Sequence, residues 1–202
     1  MLQRDAIRPD TLDTLKVIQS QSELSGTRLV GGTALALQLG HRLSIDIDLF
    51  GIWDRELDLH EVLERCGSVI AEHRTQNIHV FNVNEIKVDV VYYEYEWLSS
   101  PVEVEGVRMA LVNDIAPMKL EAINSRGSKK DFIDMAFLLE KFSLNEILEW
   151  YKAKYPKGSE YLVLRSLVYF DDAEDDPMPL MLKPMDWESA KERIRDAVRK
   201  VA

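Results

Sequence analysis

From Arg42 to Phe50 the chain alternates without a break. Leu43, Ile45, Ile47 and Leu49 fall on one side, and Arg42, Ser44, Asp46 and Asp48 on the other. A period of two belongs to a β-strand, so residues 42–50 are predicted to form one strand with Ile45 and Ile47 packed into a core. Upstream, Leu12, Leu15 and Ile18 keep a helical spacing over residues 11–23, with Asp10 as N-cap and Ser25-Gly26 as the break. Residues 27–30 read as a short strand ending at Gly31-Gly32, and 33–39 as a helix closed by Gly40. A helix is predicted over 59–65. Residues 68–74, 77–82 and 86–92 follow as three successive antiparallel strands, and 102–104 with 107–110 as a short hairpin around Glu105-Gly106. The remainder has helical spacing. Asp114 is placed as the cap of a helix reaching Ser125, Arg126-Gly127-Ser128 as a turn, and 129–141, 144–155 (capped by Ser143) and 187–201 as helices. Residues 161–170 fit no single period, and 171–184 form an acidic, proline-bearing segment. Strands first and helices later predict an α+β (or α/β) fold, with a mixed or antiparallel sheet core over 1–112 and a helical C-terminal subdomain over 113–202 packed on it.

Charge narrows the function. Lys and Arg number 25 against 35 Asp and Glu in 202 residues, a net charge of −10. That excludes a general, charge-driven nucleic-acid coat but leaves room for a local basic groove. The single cysteine, Cys66, excludes an intramolecular disulfide framework and is read as a small core residue. No apolar run approaches the ~20 residues that span a bilayer. Residues 1–10 carry charges and Pro9 and lack the apolar centre of a signal peptide, so a cytoplasmic location with no membrane is expected.

Candidate chemistry gathers on the alternating stretch. Asp46 and Asp48 stand two apart, so on a strand their carboxylates point the same way and repel. A divalent cation relieves that repulsion, and Mg²⁺ favours carboxylate and phosphate oxygens. Two solvated aspartates on a half-exposed strand are the plainer reading, against which stands the poor fit of Asp in strands. Asp89, on the polar face of Ile86-Lys87-Val88-Asp89-Val90, would complete a carboxylate triad; an Asp89 paired with Lys87 or a cross-strand Arg is the alternative. Gly31-Gly32, at a strand-to-helix junction, reads either as a plain turn or as a backbone cradle for phosphate, with Ser44 as a further donor. Arg42 shares the face of Ser44. The four histidines show no metal-ligand spacing, Trp97, Trp150 and Trp187 read as packing residues, and Asp171, Asp172, Glu174, Asp175 and Asp176 read as a solvated loop or a docking surface for a basic partner.

Gly31-Gly-Thr-Ala-Leu-Ala-Leu37 followed by His41-Arg-Leu-Ser-Ile-Asp-Ile-Asp-Leu-Phe50, with Asp89 beyond, resembles the signature of the AbiEii/AbiGii nucleotidyltransferase toxins, a branch of the polymerase-β-like nucleotidyltransferases. Asp114-Ile-Ala-Pro-Met-Lys119-Leu-Glu-Ala122 and Arg126-Gly-Ser-Lys-Lys-Asp-Phe-Ile-Asp134 resemble that family's later motif. The resemblance runs from about Leu29 to Trp187. One departure is Gly31-Gly32 where many superfamily members have Gly-Ser, which shifts the hydroxyl contact to Thr33 or Ser44. What the resemblance implies is a nucleotidyltransferase-type sheet core, and transfer of a nucleoside monophosphate from an NTP to an acceptor hydroxyl on RNA (transfer RNA in some members) or protein. It implies Mg²⁺ or Mn²⁺ held by Asp46, Asp48 and Asp89, with Asp89 as general base, and the nucleotide held by Gly31, Gly32, Ser44, Lys119, Asp131 and Asp134. It also implies a cognate antitoxin. Lys119 is expected to be a mostly solvated cleft residue that binds the triphosphate, oriented with Arg126 by Asp131 and Asp134. The competing reading is a catalytically inactive nucleotide-binding or partner-binding module.

Overall fold

The computed structural model describes residues 1–201. Seven strands form one mixed sheet: β1 (Thr27–Leu29), β2 (Ile47–Gly51), β3 (Val69–Arg74), β4 (Ile78–Val83), β5 (Ile86–Tyr92), β6 (Val102–Val104) and β7 (Val107–Met109). Their spatial order is β3-β4-β5-β2-β1-β7-β6. β2 runs parallel to β5 and β1 parallel to β7, while every other neighbouring pair is antiparallel. The helices are α1 (Pro9–Gln19), α2 (Gly31–Leu39), α3 (Leu59–Glu64), α4 (Val112–Ser125), α5 (Lys129–Leu138), α6 (Leu144–Lys154), α7 (Glu160–Leu167) and α8 (Trp187–Arg199). The α+β class expected from the sequence is the one observed.

The chain divides into two compact units. The first takes residues 1–94 and 101–110, and the second 95–100 and 111–202. In the first unit α1 packs on β7, α2 on β2 and α3 on β3. Ile47, Leu49, Val88 and Val90 are fully buried, as are Leu35, Leu37 and Leu63. β3 forms one edge of the sheet, with a bulge at Glu72 where the pairing skips from Ala71–Phe81 to His73–Val80. In the second unit α4 packs against α5, α6 and α7, and α8 against α5 and α7. Buried Asp114 accepts from the backbone N–H groups of Leu98 and Ser99 at 2.9 and 3.1 Å and from Lys154 Nζ at 2.7 Å, and that ammonium lies over the Trp97 ring. These bonds hold residues 95–100 against α4 and α6.

Several local expectations change. The first helix begins at Pro9, whose fixed φ suits the first helical position, so Asp10 lies inside the first turn rather than at the cap. It ends at Gln19, and a separate 3-10 turn covers Ser22–Leu24. The cap of α4 is Leu111, because Asp114 is drawn into the interior by its three donors. Residues 160–167 are helical, capped by Ser159. Cys66 is half-buried, and burial pushes its thiol up. The predicted strand over 42–50 is shortened most: Arg42 and Ser44 are buried, while Ile45 is 51% exposed. Ser44 forms an isolated parallel bridge to Ile7, and its N–H donates to Ala6. That pull turns the chain aside until Ile47, where β2 begins.

Candidate active site

The first unit builds its polar face by register. Asp48 on β2 stands directly opposite Asp89 on β5, and the row continues through Val80 on β4 to His73 on β3. Cross-strand partners share a face, and neighbouring strands lie ~4.8 Å apart, so the two carboxylates are side by side. Ile47 and Val88, one step along, pair on the opposite face and are buried. Asp46 sits one residue before β2, half-buried.

Three features surround these carboxylates. Gly31 opens α2 with φ +68, a left-handed backbone, and a Cβ there would run into the Asp48 carboxylate. At Gly32 a Cβ would meet the Arg42 guanidinium and lie 3.3 Å from Ser44 Oγ. The glycine pair is therefore required by close approach, with Asp48 on one side and Arg42 and Ser44 on the other. Thr33 Oγ1 donates to the Asp46 carbonyl and lies 2.9 Å from Ser44 Oγ. A hydroxyl has one proton, so Ser44 donates to Thr33 when Thr33 donates to Asp46. Ser44 is buried and tethers the start of α2 to the carboxylate loop. At the other end of α2, Gly40 closes the helix in the left-handed conformation (φ +62).

A cation of the protein's own, Lys87, stands on the carboxylate face beside Asp89. Lys87 Nζ lies 2.7 Å from Asp89 Oδ2. Burial works to lower the Lys87 pKa, but the hydrogen bond and charge of Asp89, with the charges of Asp48 and Asp46, outweigh it and raise it. The second Asp89 oxygen, Oδ1, is buried with no hydrogen-bond partner. Among the described residues, no three His, Cys, Asp or Glu side chains are gathered as a ready metal cluster. The donors present, carboxylate oxygens with one orphaned atom, nevertheless suit a hard divalent cation.

Lys119, Asp131 and Asp134 come together in the second unit. Lys119 Nζ lies 2.9 Å from Asp131 Oδ1 and 2.7 Å from Asp134 Oδ2, with the lysine side chain 4% exposed and both carboxylates fully buried. The expectation of a mostly solvated lysine is therefore corrected: two carboxylates on α5 neutralise it inside the unit. Asp131 also accepts from Arg126 Nε at 2.9 Å and Ser128 Oγ at 2.6 Å. Burial alone would raise the Asp131 pKa, but the charge of Lys119 and the bonds from Arg126 and Ser128 hold it well below the usual carboxylate range. A surface cavity of about 570 Å³ in the same unit, lined in part by Phe142, Leu144, Arg193, Asp196 and Lys200, contains none of these groups.

Of the residues expected at the site, Asp48 stands opposite Asp89 and against Gly31, and Gly32 lies beside Arg42 and Ser44, while Asp46 is joined to this group through its backbone carbonyl and Thr33. Sequence reasoning gave no role to Lys87 beyond a possible partner of Asp89. The signal available was its position two residues before Asp89 on an alternating strand. Among the described residues no helix is long and apolar enough to cross a membrane.

Residues 19–200 match the nucleotidyl transferase AbiEii toxin family, described as a type IV toxin–antitoxin system. An uncharacterized protein of Aquifex aeolicus, aq_aa25, is 30% identical over 200 residues, covering 96% of both chains. Among solved structures, JHP933 of Helicobacter pylori superposes with a TM-score of 0.59 at 18% identity, over 96% of this chain and 93% of its own. The nucleotidyltransferase toxin MenT4 of Mycobacterium tuberculosis gives 0.54 at 13% identity, over 95% of this chain and 84% of its own. These two likenesses extend the fold assignment to both units.

Proposed function

The chain belongs to the AbiEii nucleotidyl transferase toxin family and is a nucleotidyltransferase, and on that premise we propose that it moves a nucleoside monophosphate from an NTP to an acceptor hydroxyl on RNA or protein, as the toxin partner of a cognate antitoxin. The observation that carries this reading is the side-by-side placement of Asp48 and Asp89 with Gly31 pressed against the Asp48 carboxylate. In this reading Asp46, Asp48 and Asp89 hold the divalent cation, Mg²⁺ or Mn²⁺. That ion, when bound, neutralises phosphate charge and acidifies the acceptor hydroxyl. Asp89 is the general base in this reading and takes the hydroxyl proton. Gly31 and Gly32 let the start of α2 lie directly against Asp48 on one side and the Arg42 guanidinium on the other, which puts its N–H groups and a cation beside the carboxylates, where a phosphate is to be held. Thr33 and Ser44 fix that N-terminus relative to the Asp46 carbonyl.

Lys119, Asp131 and Asp134 enter the reading as the ion-paired frame that locks α4 to α5; direct nucleotide contact by Lys119 is the rival account. Incubating the protein with each α-labelled NTP, Mg²⁺ and total cellular RNA or protein tests the proposal. Label should appear on one acceptor class with release of pyrophosphate. Asp48→Asn and Asp89→Asn should each lose about 100- to 1,000-fold of that incorporation, the scale of one lost electrostatic contact in a transition state. NTP binding without any incorporation would instead identify an inactive nucleotide-binding module.

A further inference from the structure

Lys87 is a charged side chain on the carboxylate face that this chemistry does not use. It precedes Asp89 by two residues on β5 and so shares its face. Its row pairs with Asn82 on β4. The ammonium is bonded to Asp89 Oδ2 at 2.7 Å and sits in the field of Asp48 and Asp46. Its side chain is 46% exposed. A partly exposed pair of this kind is weak. A lysine's four-carbon stem lets the ammonium swing away without disturbing the strand.

We propose that Lys87 is a built-in counter-ion, which keeps its ammonium among Asp46, Asp48 and Asp89 while the nucleotide is absent and turns it onto the triphosphate when the divalent cation and the NTP enter. The inference rests on the reading of the three aspartates as the cation-holding groups. Its physical basis is competition. One positive charge already sits on the Asp89 carboxylate, so a bare cation binding there must displace it. An arriving triphosphate gives the displaced ammonium a new anionic partner. Cation and triphosphate then reinforce each other's binding, and the reinforcement is reciprocal. The arrangement keeps the empty site from collecting free metal ions.

Mn²⁺ binding followed by electron paramagnetic resonance, without nucleotide, tests the first half. Calorimetric binding of inorganic tripolyphosphate at saturating Mn²⁺ tests the second and does not depend on base preference. In Lys87→Met the Mn²⁺ affinity should rise by about 2- to 5-fold, the scale of one partly exposed ion pair, while tripolyphosphate affinity falls. Lys87→Arg, which keeps the charge, should move both back toward the parent protein. Opposite movement of the two affinities is the discriminating result, since a merely structural lysine would weaken both or neither. Unchanged or weaker Mn²⁺ binding in Lys87→Met overturns the proposal. Asp48→Asn separates the two levels. If it abolishes Mn²⁺ binding while Lys87→Met changes nothing, only the counter-ion idea falls. If Asp48→Asn binds Mn²⁺ like the parent, the reading of the aspartates falls with it.

Discussion

Replacing Lys119 by Met keeps the length of the side chain and removes its charge. Asp131 would retain Arg126 and Ser128, but Asp134, fully buried, would lose the ammonium 2.7 Å away. Removing one partner of a buried pair costs about 3–5 kcal/mol, because the other charge is left in a poorly polarisable interior. For a chain of this size each kcal/mol lowers the melting temperature by roughly 2–4 °C, so a fall of about 6–20 °C is expected. Three of the four tryptophans, Trp97, Trp150 and Trp187, lie in the helical unit, so tryptophan fluorescence in urea reports mainly on the unit that is perturbed. The double variant Lys119→Met/Asp134→Leu should recover much of the loss, since an apolar replacement of a whole buried pair is often neutral. A loss under about 1 kcal/mol in the single variant, or a double variant no more stable than the single, would refute the frame role. NTP affinity on the same proteins decides the rival account: a folded, stable Lys119→Met that has lost NTP binding makes Lys119 a ligand.

Three further outcomes follow from the geometry. Gly31→Ala forces a side chain into a left-handed backbone and against the Asp48 carboxylate; it should cost about 1–3 kcal/mol in stability and abolish nucleotide incorporation, whereas Gly106→Ala, in open space, should leave incorporation intact. The folded-state pKa of Asp131 is depressed, so its contribution to stability is present above the unfolded value near ~4 and is lost as pH falls through the lower folded value; Asp131→Asn should flatten that acid limb in urea titrations. Burial, with the Tyr151 hydroxyl donating to Glu121 at 2.9 Å, pushes the Tyr151 phenol up to about 12; its contribution is present below the unfolded value near ~10 and fades as pH rises through the folded one, and a Tyr151→Phe difference spectrum should locate the late ionisation.

The sequence made the local elements legible where local signals decide. Ser143 caps α6 as expected, in a capping box with Glu146 that the structure adds, Gly40 closes α2, and the antiparallel run from β3 to β5 follows its alternation. The carboxylate face was legible for the same reason: Asp48 and Asp89 sit on strands whose apolar residues fix which side is buried. The failures are non-local. Alternation over residues 42–46 could not reveal that Ser44 is claimed by Ala6 and Ile7. Asp114 looks like a cap until Lys154, 40 positions later, reaches its carboxylate. Lys119 reads as a surface lysine until the chain turns at residues 126–128 and brings Asp131 and Asp134 back over it.

The bulged outer strand bears on how the sheet edge meets other chains. β3 ends the sheet with its far side unpaired, and Ile70 on it is 63% exposed. A flat edge of that length is a template onto which a second chain can add a strand. The extra residue at Glu72 spoils the spacing such an addition needs, and Glu72, His73 and Arg74, all exposed, put polar groups where an incoming strand would lie. Strand Val69–Arg74 thus completes the sheet that carries Asp89, and the irregularity at Glu72 makes its outer side a poor template for a further strand.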